Sequence, residues 1–257
     1  MLLSIYKSPA EGCNFLKERD MKKFFGVFVF LLIFPFFCSA FTVNVTSDIH
    51  AGNKSKRDKG DNFGVRNIVY PKKWKKYFRN FIKDEADLYL ILGDNINGAK
   101  KDYKLYRDMR IIVNKKNRQA LFVKGNHDKA KRYHYLSDKT YYATDKDNWR
   151  IIVLDTNENN KISQTQLDWF KEQLKTDKNV LVAMHEGPFH EKSSDPIEEL
   201  KPFLEIVKNH ENIKYILSGH YHFFEEKRVD GYEAQFITVQ PLTLRGSVGS
   251  FFELNLD

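Results

Sequence analysis

Cysteine is nearly missing from these 257 residues: Cys13 and Cys38 are the only two. Two cysteines cannot staple a disulfide scaffold or build a four-cysteine zinc site. Glycine (13) and proline (7) are too scarce for a collagen-like or linker-dominated chain. The most apolar stretch, residues 24–37 (FFGVFVFLLIFPFF), has fourteen residues, short of the ~20 that span a membrane as a helix. What is there is ordinary: 42% hydrophobic, 30% charged, net charge +8. Such a chain forms a core and is not disordered, and its length fits one or two domains.

The averages hide an uneven start. Lys22 and Lys23 precede the apolar stretch, and Cys38-Ser39-Ala40 follows it. A short basic region, an apolar region and a small-residue site make a secretory signal. The alternatives are an uncleaved anchor or a buried core helix. Phe37 before Cys38 argues against a lipoprotein site. Residues 1–20 do not fit an export signal, whereas Met21 opens one (MKKFF). The expectation is therefore translation from Met21, a signal region within 1–40, and cleavage after Ala40. That leaves a domain over residues 41–257, without cysteine. Loss of five basic and three acidic residues lowers the net charge to +6.

The rest alternates strand-like and helix-like segments. Strands are expected at 41–47, 87–92, 119–124, 141–144, 149–154, 179–184 and 213–217, then three more from 223 to the end. Helices are expected at 71–84, 101–117, 164–175 (capped by Ser163) and 196–209 (starting near Pro196), from apolar residues at 3–4 spacing. Residues 49–67 read as a long polar loop. This alternation indicates a layered α/β fold.

Five of these strands run into metal-ligand residue types: Asp48-Ile49-His50, Gly93-Asp94, Gly125-Asn126-His127-Asp128, His185, and Gly219-His220-Tyr221-His222. In α/β folds, ligand sites gather outside the carboxyl ends of strands. Glycine precedes the polar residue at three ends, allowing a sharp turn or close approach. Oxygen and imidazole donors without thiolate suit Zn, Mn, Fe or Ni. The i, i+2 pairs Asp48/His50 and His220/His222 would point to one side in an extended segment. Seven candidates are too many for one four-coordinate ion, but fit two octahedral ions sharing a carboxylate.

This series, in this order, resembles the calcineurin-like metallophosphoesterases. The match spans residues 48–222. The resemblance implies a four-layer α/β/β/α sandwich with a dinuclear centre of divalent or trivalent ions. It implies Asp48, His50 and His222 on the first metal, Asn126, His185 and His220 on the second, and Asp94 bridging. It implies that His127 faces the substrate and stabilises or protonates the leaving oxygen, with Asp128 orienting it. The implied reaction is attack on phosphorus by a metal-bridging hydroxide, with the metals and His127 stabilising the transition state. Two departures leave the subfamily open: Asn95-Ile96-Asn97 where an acidic residue is common, and Pro188 one place late after His185.

Other features have plainer readings. His134, His190 and His210 read as surface or core histidines, although His190, five residues past His185, is within chain reach of a substrate. Lys72, Lys73, Lys75 and Lys76 read as the solvated face of an amphipathic helix. Trp149 and Trp169 read as core. Arg245 lies in a loop-like segment over 241–249, and contact with a substrate phosphate is the less favoured of its readings. The expected function is an exported metal-dependent phosphoesterase acting on a phosphomonoester or phosphodiester, with no obligate protein partner and no membrane span in the mature chain; an uncleaved signal would anchor it. The alternatives are a nuclease of the same family, which the basic charge favours only faintly since +6 over 217 residues is modest, and a non-catalytic binding protein on the same fold.

Overall fold

The computed structural model describes residues 41–52, 74–98, 102–128, 130–156, 161–190, 193–244 and 246–256. The expected signal region, Lys72, Lys73 and Arg245 lie outside them. Every described residue belongs to one compact unit, Cys38–Asp257.

Two sheets face each other. The first has the order β10-β1-β2-β3, with β1 (Phe41–Thr46), β2 (Leu88–Ile91) and β3 (Ala120–Phe122) parallel and β10 (Phe252–Leu256) antiparallel to β1. The second has the order β4-β5-β6-β7-β9-β8. Its strands are β4 (Tyr142–Lys146), β5 (Trp149–Val153), β6 (Asn179–Ala183), β7 (Ile213–Ser218), β8 (Glu225–Arg228) and β9 (Gln235–Thr238). Strands β5, β6, β7 and β9 are parallel, and β4 and β8 close the edges antiparallel.

The period-2 pattern of each strand divides its side chains between two apolar layers. Val43, Val45, Leu88, Leu90, Leu121, Ile151, Val153, Leu181, Leu217 and Ile237 meet between the sheets. The intervening Tyr89, Ile91 and Phe122 pack beneath α1 (Trp74–Lys83) and α2 (Tyr103–Lys115). Ile152, Val180, Val182 and Ile216 pack beneath α4 (Gln164–Gln173) and α5 (Lys201–Lys208). A short helix, α3 (Ala130–Tyr133), follows β3. The result is the four-layer α/β/β/α sandwich. Each fully buried Val, Leu or Ile contributes about 1.5–3 kcal/mol, so these layers are the main source of stability.

Ser163 caps α4 as expected, its side chain accepting from the Gln166 N–H. The helix expected from Pro196 starts later. Pro196 bridges Phe189, a 3₁₀ turn occupies Glu198–Leu200, and Pro202 stands in the first turn of α5. The Ile197 N–H donates to the Pro188 carbonyl, holding the backbone extended where the helix was expected. Helix α3 has four residues, too few for periodicity to declare it. Trp149 lies in the inter-sheet core, while Trp169 is only partly buried, against Tyr141. Lys75 pairs with Asp108 of α2 at 2.7 Å and Lys76 is exposed, as a solvated helix face requires. Among the described residues, no helix is long and apolar enough to cross a membrane.

Parallel order places the carboxyl ends of β1, β2 and β3 on one edge and those of β5, β6, β7 and β9 on another. The two edges are joined. Ser47 Oγ donates to the Val239 carbonyl at 2.6 Å, the Leu242 N–H to the Ser47 carbonyl, and His185 Nδ1 lies 2.7 Å from the Leu92 carbonyl.

Candidate metal centre

All seven expected ligands converge at this joined edge. Four donor atoms face one another around His185 Nε2: Asn126 Oδ1 at 3.0 Å, His220 Nδ1 at 3.3 Å and Asp94 Oδ2 at 3.4 Å. A second group forms around Asp48 Oδ1, with His222 Nε2 at 3.2 Å and His50 Nε2 at 3.7 Å. His50 Nε2 lies 3.5 Å from Asp94 Oδ2, so one oxygen of Asp94 belongs to both groups. Donors about 2.1 Å from a common cation stand about 3.0 Å apart at right angles and about 3.4 Å apart at tetrahedral angles. The spacings here are of that size, and the donor set is oxygen and imidazole nitrogen. The residues therefore fit metal cations: the acid–imidazole groupings Asp48–His50–His222 and Asp48–Asp94–His185 have the reach to hold one, as does a third that includes His127, His50–Asp94–His127.

The backbone reaches the site by unusual means. Among the described residues, seven non-glycine residues have positive φ, and five are expected ligands: Asp48 (47°), His50 (44°), Asp94 (46°), His220 (70°) and His222 (61°). The i, i+2 pairs are therefore not extended, contrary to expectation; left-handed turns, not strand pleat, aim them. Residues held at such φ each cost about 1–3 kcal/mol and collect at functional sites. The three glycines make close approach possible. A Cβ on Gly93 would lie 2.4 Å from His185 Nδ1, one on Gly125 2.2 Å from the Asp94 nitrogen, and one on Gly219 2.8 Å from Asp48 Oδ2. Only Gly93 of the three also has positive φ, at 90°.

A second ring of contacts orients the donors. His50 Nδ1 lies 3.2 Å from Asn97 Oδ1, which leaves Nε2 facing the carboxylates. The His185 Nδ1 contact with Leu92 does the same for its Nε2. The His127 N–H donates to Asp94 Oδ1 at 2.8 Å, freeing Oδ2 for both groups. The His220 N–H donates to Asp48 Oδ2 at 2.9 Å. Such partners fix ring orientation and tautomer.

His127 stands at the mouth, its side chain 19% exposed against 1% for His50 and His185. Its Nε2 is 3.9 Å from Asp94 Oδ2, so it also falls within donor range. Asp128 does not orient it. The Asp128 carboxylate turns inward and accepts from Gly125 N, Asn95 N and Nδ2, Ile96 N and the Tyr106 hydroxyl. Five donors in reach consume its lone pairs, and its work is to tie the Gly125–Asp128 turn to the Asp94–Asn97 turn.

Electrostatics follow from burial and crowding. Burial opposes the charge on Asp94, but His185, His127 and His50 outweigh it and hold the carboxyl well below the usual range. Asp48 is likewise held down, by His222 and His185 against burial. Burial disfavours a cation on His185, yet Asp94 beside it pushes the imidazole up to about 10. Burial presses His50 and His220 down to about 4. Burial, with Asp94 nearby, raises Asp128. Two buried carboxylates thus recruit a proton onto His185, the positive charge that a cation would otherwise supply.

Several residues of the site carry little sequence signal. Asn95 and Asn97 stand in the sequence only as departures from the family's form. Glu186 is buried, with Oε1 4.0 Å from His220 Nδ1. Lys124 and Asp155 form a largely buried pair at 3.0 Å that links the ends of β3 and β5. His134 and His190 are exposed, and His210, just past the end of α5, has its Nδ1 2.7 Å from the Ile206 carbonyl of that helix.

Comparison with known proteins identifies the family. A family model described as calcineurin-like phosphoesterase matches residues 41–224. The chain belongs to the calcineurin-like phosphoesterase family. A cyanobacterial relative from Synechococcus, described as a probable cyclic nucleotide phosphodiesterase, is 26% identical over 172 residues, 62% of this chain and 66% of its own length. A dimetal phosphatase from Danio rerio superimposes with TM-score 0.65 at 15% identity, covering 84% of this chain and 93% of that one. Purple acid phosphatase PPD1 from yellow lupin seeds gives TM-score 0.58 at 12% identity, covering 82% and 44%. GAP50, the anchor in the inner membrane complex of Plasmodium, gives 0.53 at 17%, covering 77% and 71%. At these identities the solved structures establish the shared fold alone.

Proposed function

We propose that the chain hydrolyses phosphate esters at a two-cation centre held by Asp48, His50, Asp94, Asn126, His185, His220 and His222. The observation that carries this reading is Asp94 Oδ2, nearly equidistant from His50 Nε2 (3.5 Å) and His185 Nε2 (3.4 Å). Bound cations would supply Lewis-acid polarisation of the phosphoryl oxygens and acidification of a water. The chain's own part is orientation and proton handling. The His127 N–H holds Asp94 in its shared pose, and Leu92 and Asn97 aim the rings of His185 and His50. The His127 side chain, at the mouth, is placed to protonate the leaving oxygen or stabilise charge on the phosphoryl group. The resemblance to a cyclic nucleotide phosphodiesterase supports a diester among the substrates.

The test is turnover of p-nitrophenyl phosphate and of its bis ester by the metal-loaded protein, with and without chelator. Chelator-sensitive hydrolysis of at least one is expected; no hydrolysis of either contradicts the reading. Export is part of the proposal and is supported by the pattern of residues 21–40. N-terminal sequencing of protein isolated from its host is expected to begin at Phe41, and a retained 1–20 segment contradicts it.

A further inference from the structure

The geometry points to an aromatic wall beside the metal centre, formed by Tyr221 and Phe223 with His190 at its outer end, that receives a planar aromatic group of the substrate ester. This rests on the phosphoesterase reading and concerns which esters that site takes. The wall begins at the centre itself. The ring of His220 lies 5.1 Å from His185 on one side and 5.1 Å from Tyr221 on the other. Tyr221 and Phe223 are stacked at 6.0 Å with 25° between planes, and His190 meets Tyr221 edge-on at 5.4 Å. Tyr221 is thus one ring contact away from the donors that would surround the phosphorus.

The wall is fixed and accessible. The Tyr221 hydroxyl donates to the Gly187 carbonyl at 3.0 Å, and a Cβ on Gly187 would fall 3.9 Å from the Tyr221 ring edge. Tyr221 and Phe223 are only half-buried, and His190 is exposed. Partly exposed rings beside a cluster of polar donors leave apolar faces in water, which favours covering them. A pocket with a few polar groups and an aromatic side is a common ligand-site design, and planar groups gain most from stacking on it.

Two non-hydrolysable anions separate the wall from the metal centre: phenylphosphonate and methylphosphonate share a head group and differ in the appended group. Calorimetry on the metal-loaded protein is expected to give roughly tenfold tighter binding of phenylphosphonate, the scale of one stacking contact. Tyr221→Leu and Phe223→Leu keep apolarity but lose planarity, and each is expected to remove most of that preference while methylphosphonate affinity and metal content stay unchanged. Tyr221→Phe keeps the ring and is expected to retain the preference. Equal affinities in the unaltered protein, or a preference surviving both leucine variants, overturns the inference and leaves the phosphoesterase reading intact. Failure to bind either phosphonate defeats that reading and the wall with it.

Discussion

Strand β2 and the turn that follows it show two different kinds of order within seven residues. Leu88 to Ile91 alternate between two apolar layers, all buried, in regular extended backbone. Then Gly93 turns at φ 90° and Asp94 follows at 46°. The same change occurs at the end of β1, where Val43 and Val45 give way to Asp48 and His50. Local preferences and packing agree in the strand interiors. At the strand ends they conflict, with left-handed acids and histidines, buried charge and backbones in contact with side chains. The interior can carry this strain, since each buried aliphatic contributes about as much as one strained residue costs.

The strand ends are most sensitive at Asp94. Asp94→Ala removes the atom common to both donor groups. Metal affinity is expected to fall by more than the ~10–100-fold that outer partners cost, read by metal analysis after dialysis. His127→Ala is expected to keep the metals and lose roughly 10²–10⁴ in kcat; loss of metal would make His127 a ligand instead.

Glycine substitutions separate close approach from backbone strain. Gly93→Ala sets a methyl 2.4 Å from the His185 ring at positive φ, whereas Gly246→Ala, at φ 93°, meets nothing within 4 Å. Both are expected to cost stability, of order 1 kcal/mol for strain alone, and only Gly93→Ala to lose metal as well. Equal metal retention would show that the edge tolerates side chains as the core tolerates repacking.

The pH dependence has a definite sign. The metal-free fold gains stability from protonated His185, fully present below about pH 6.5 and lost as pH rises through about 10. Metal competes with that proton. Metal affinity is expected to rise across this window by roughly tenfold per pH unit for one displaced proton, and calorimetry in buffers of different ionisation enthalpy measures the release. A flat profile contradicts the assignment of His185. The smallest effect is expected at the half-exposed Lys75–Asp108 pair: Lys75→Ala should cost about 0–1 kcal/mol in thermal unfolding and leave turnover unchanged.

Much of this was legible in the sequence because period-2 alternation and apolar residues at 3–4 spacing are local signals. The strands and four of the helices could be read that way, while the seven donors stood out through the family resemblance of the strand-end motifs. The aiming of those donors could not, since left-handed backbone at Asp48 or His220 depends on contacts with Gly93 and Asp48 far along the chain. Asp128 shows the same limit. Beside His127 in sequence, it turns away in space to serve Asn95 and Tyr106. The return of β10 to pair with β1 is also a long-range pairing that no local pattern declares.

In the proposed centre one carboxylate, Asp94, joins two cation sites. Metal analysis of the unaltered chain and of Asp94→Ala decides whether it does. Two ions per chain in the former, and one or none in the latter, is the predicted result. A single ion in the unaltered chain, or two retained without Asp94, would contradict it.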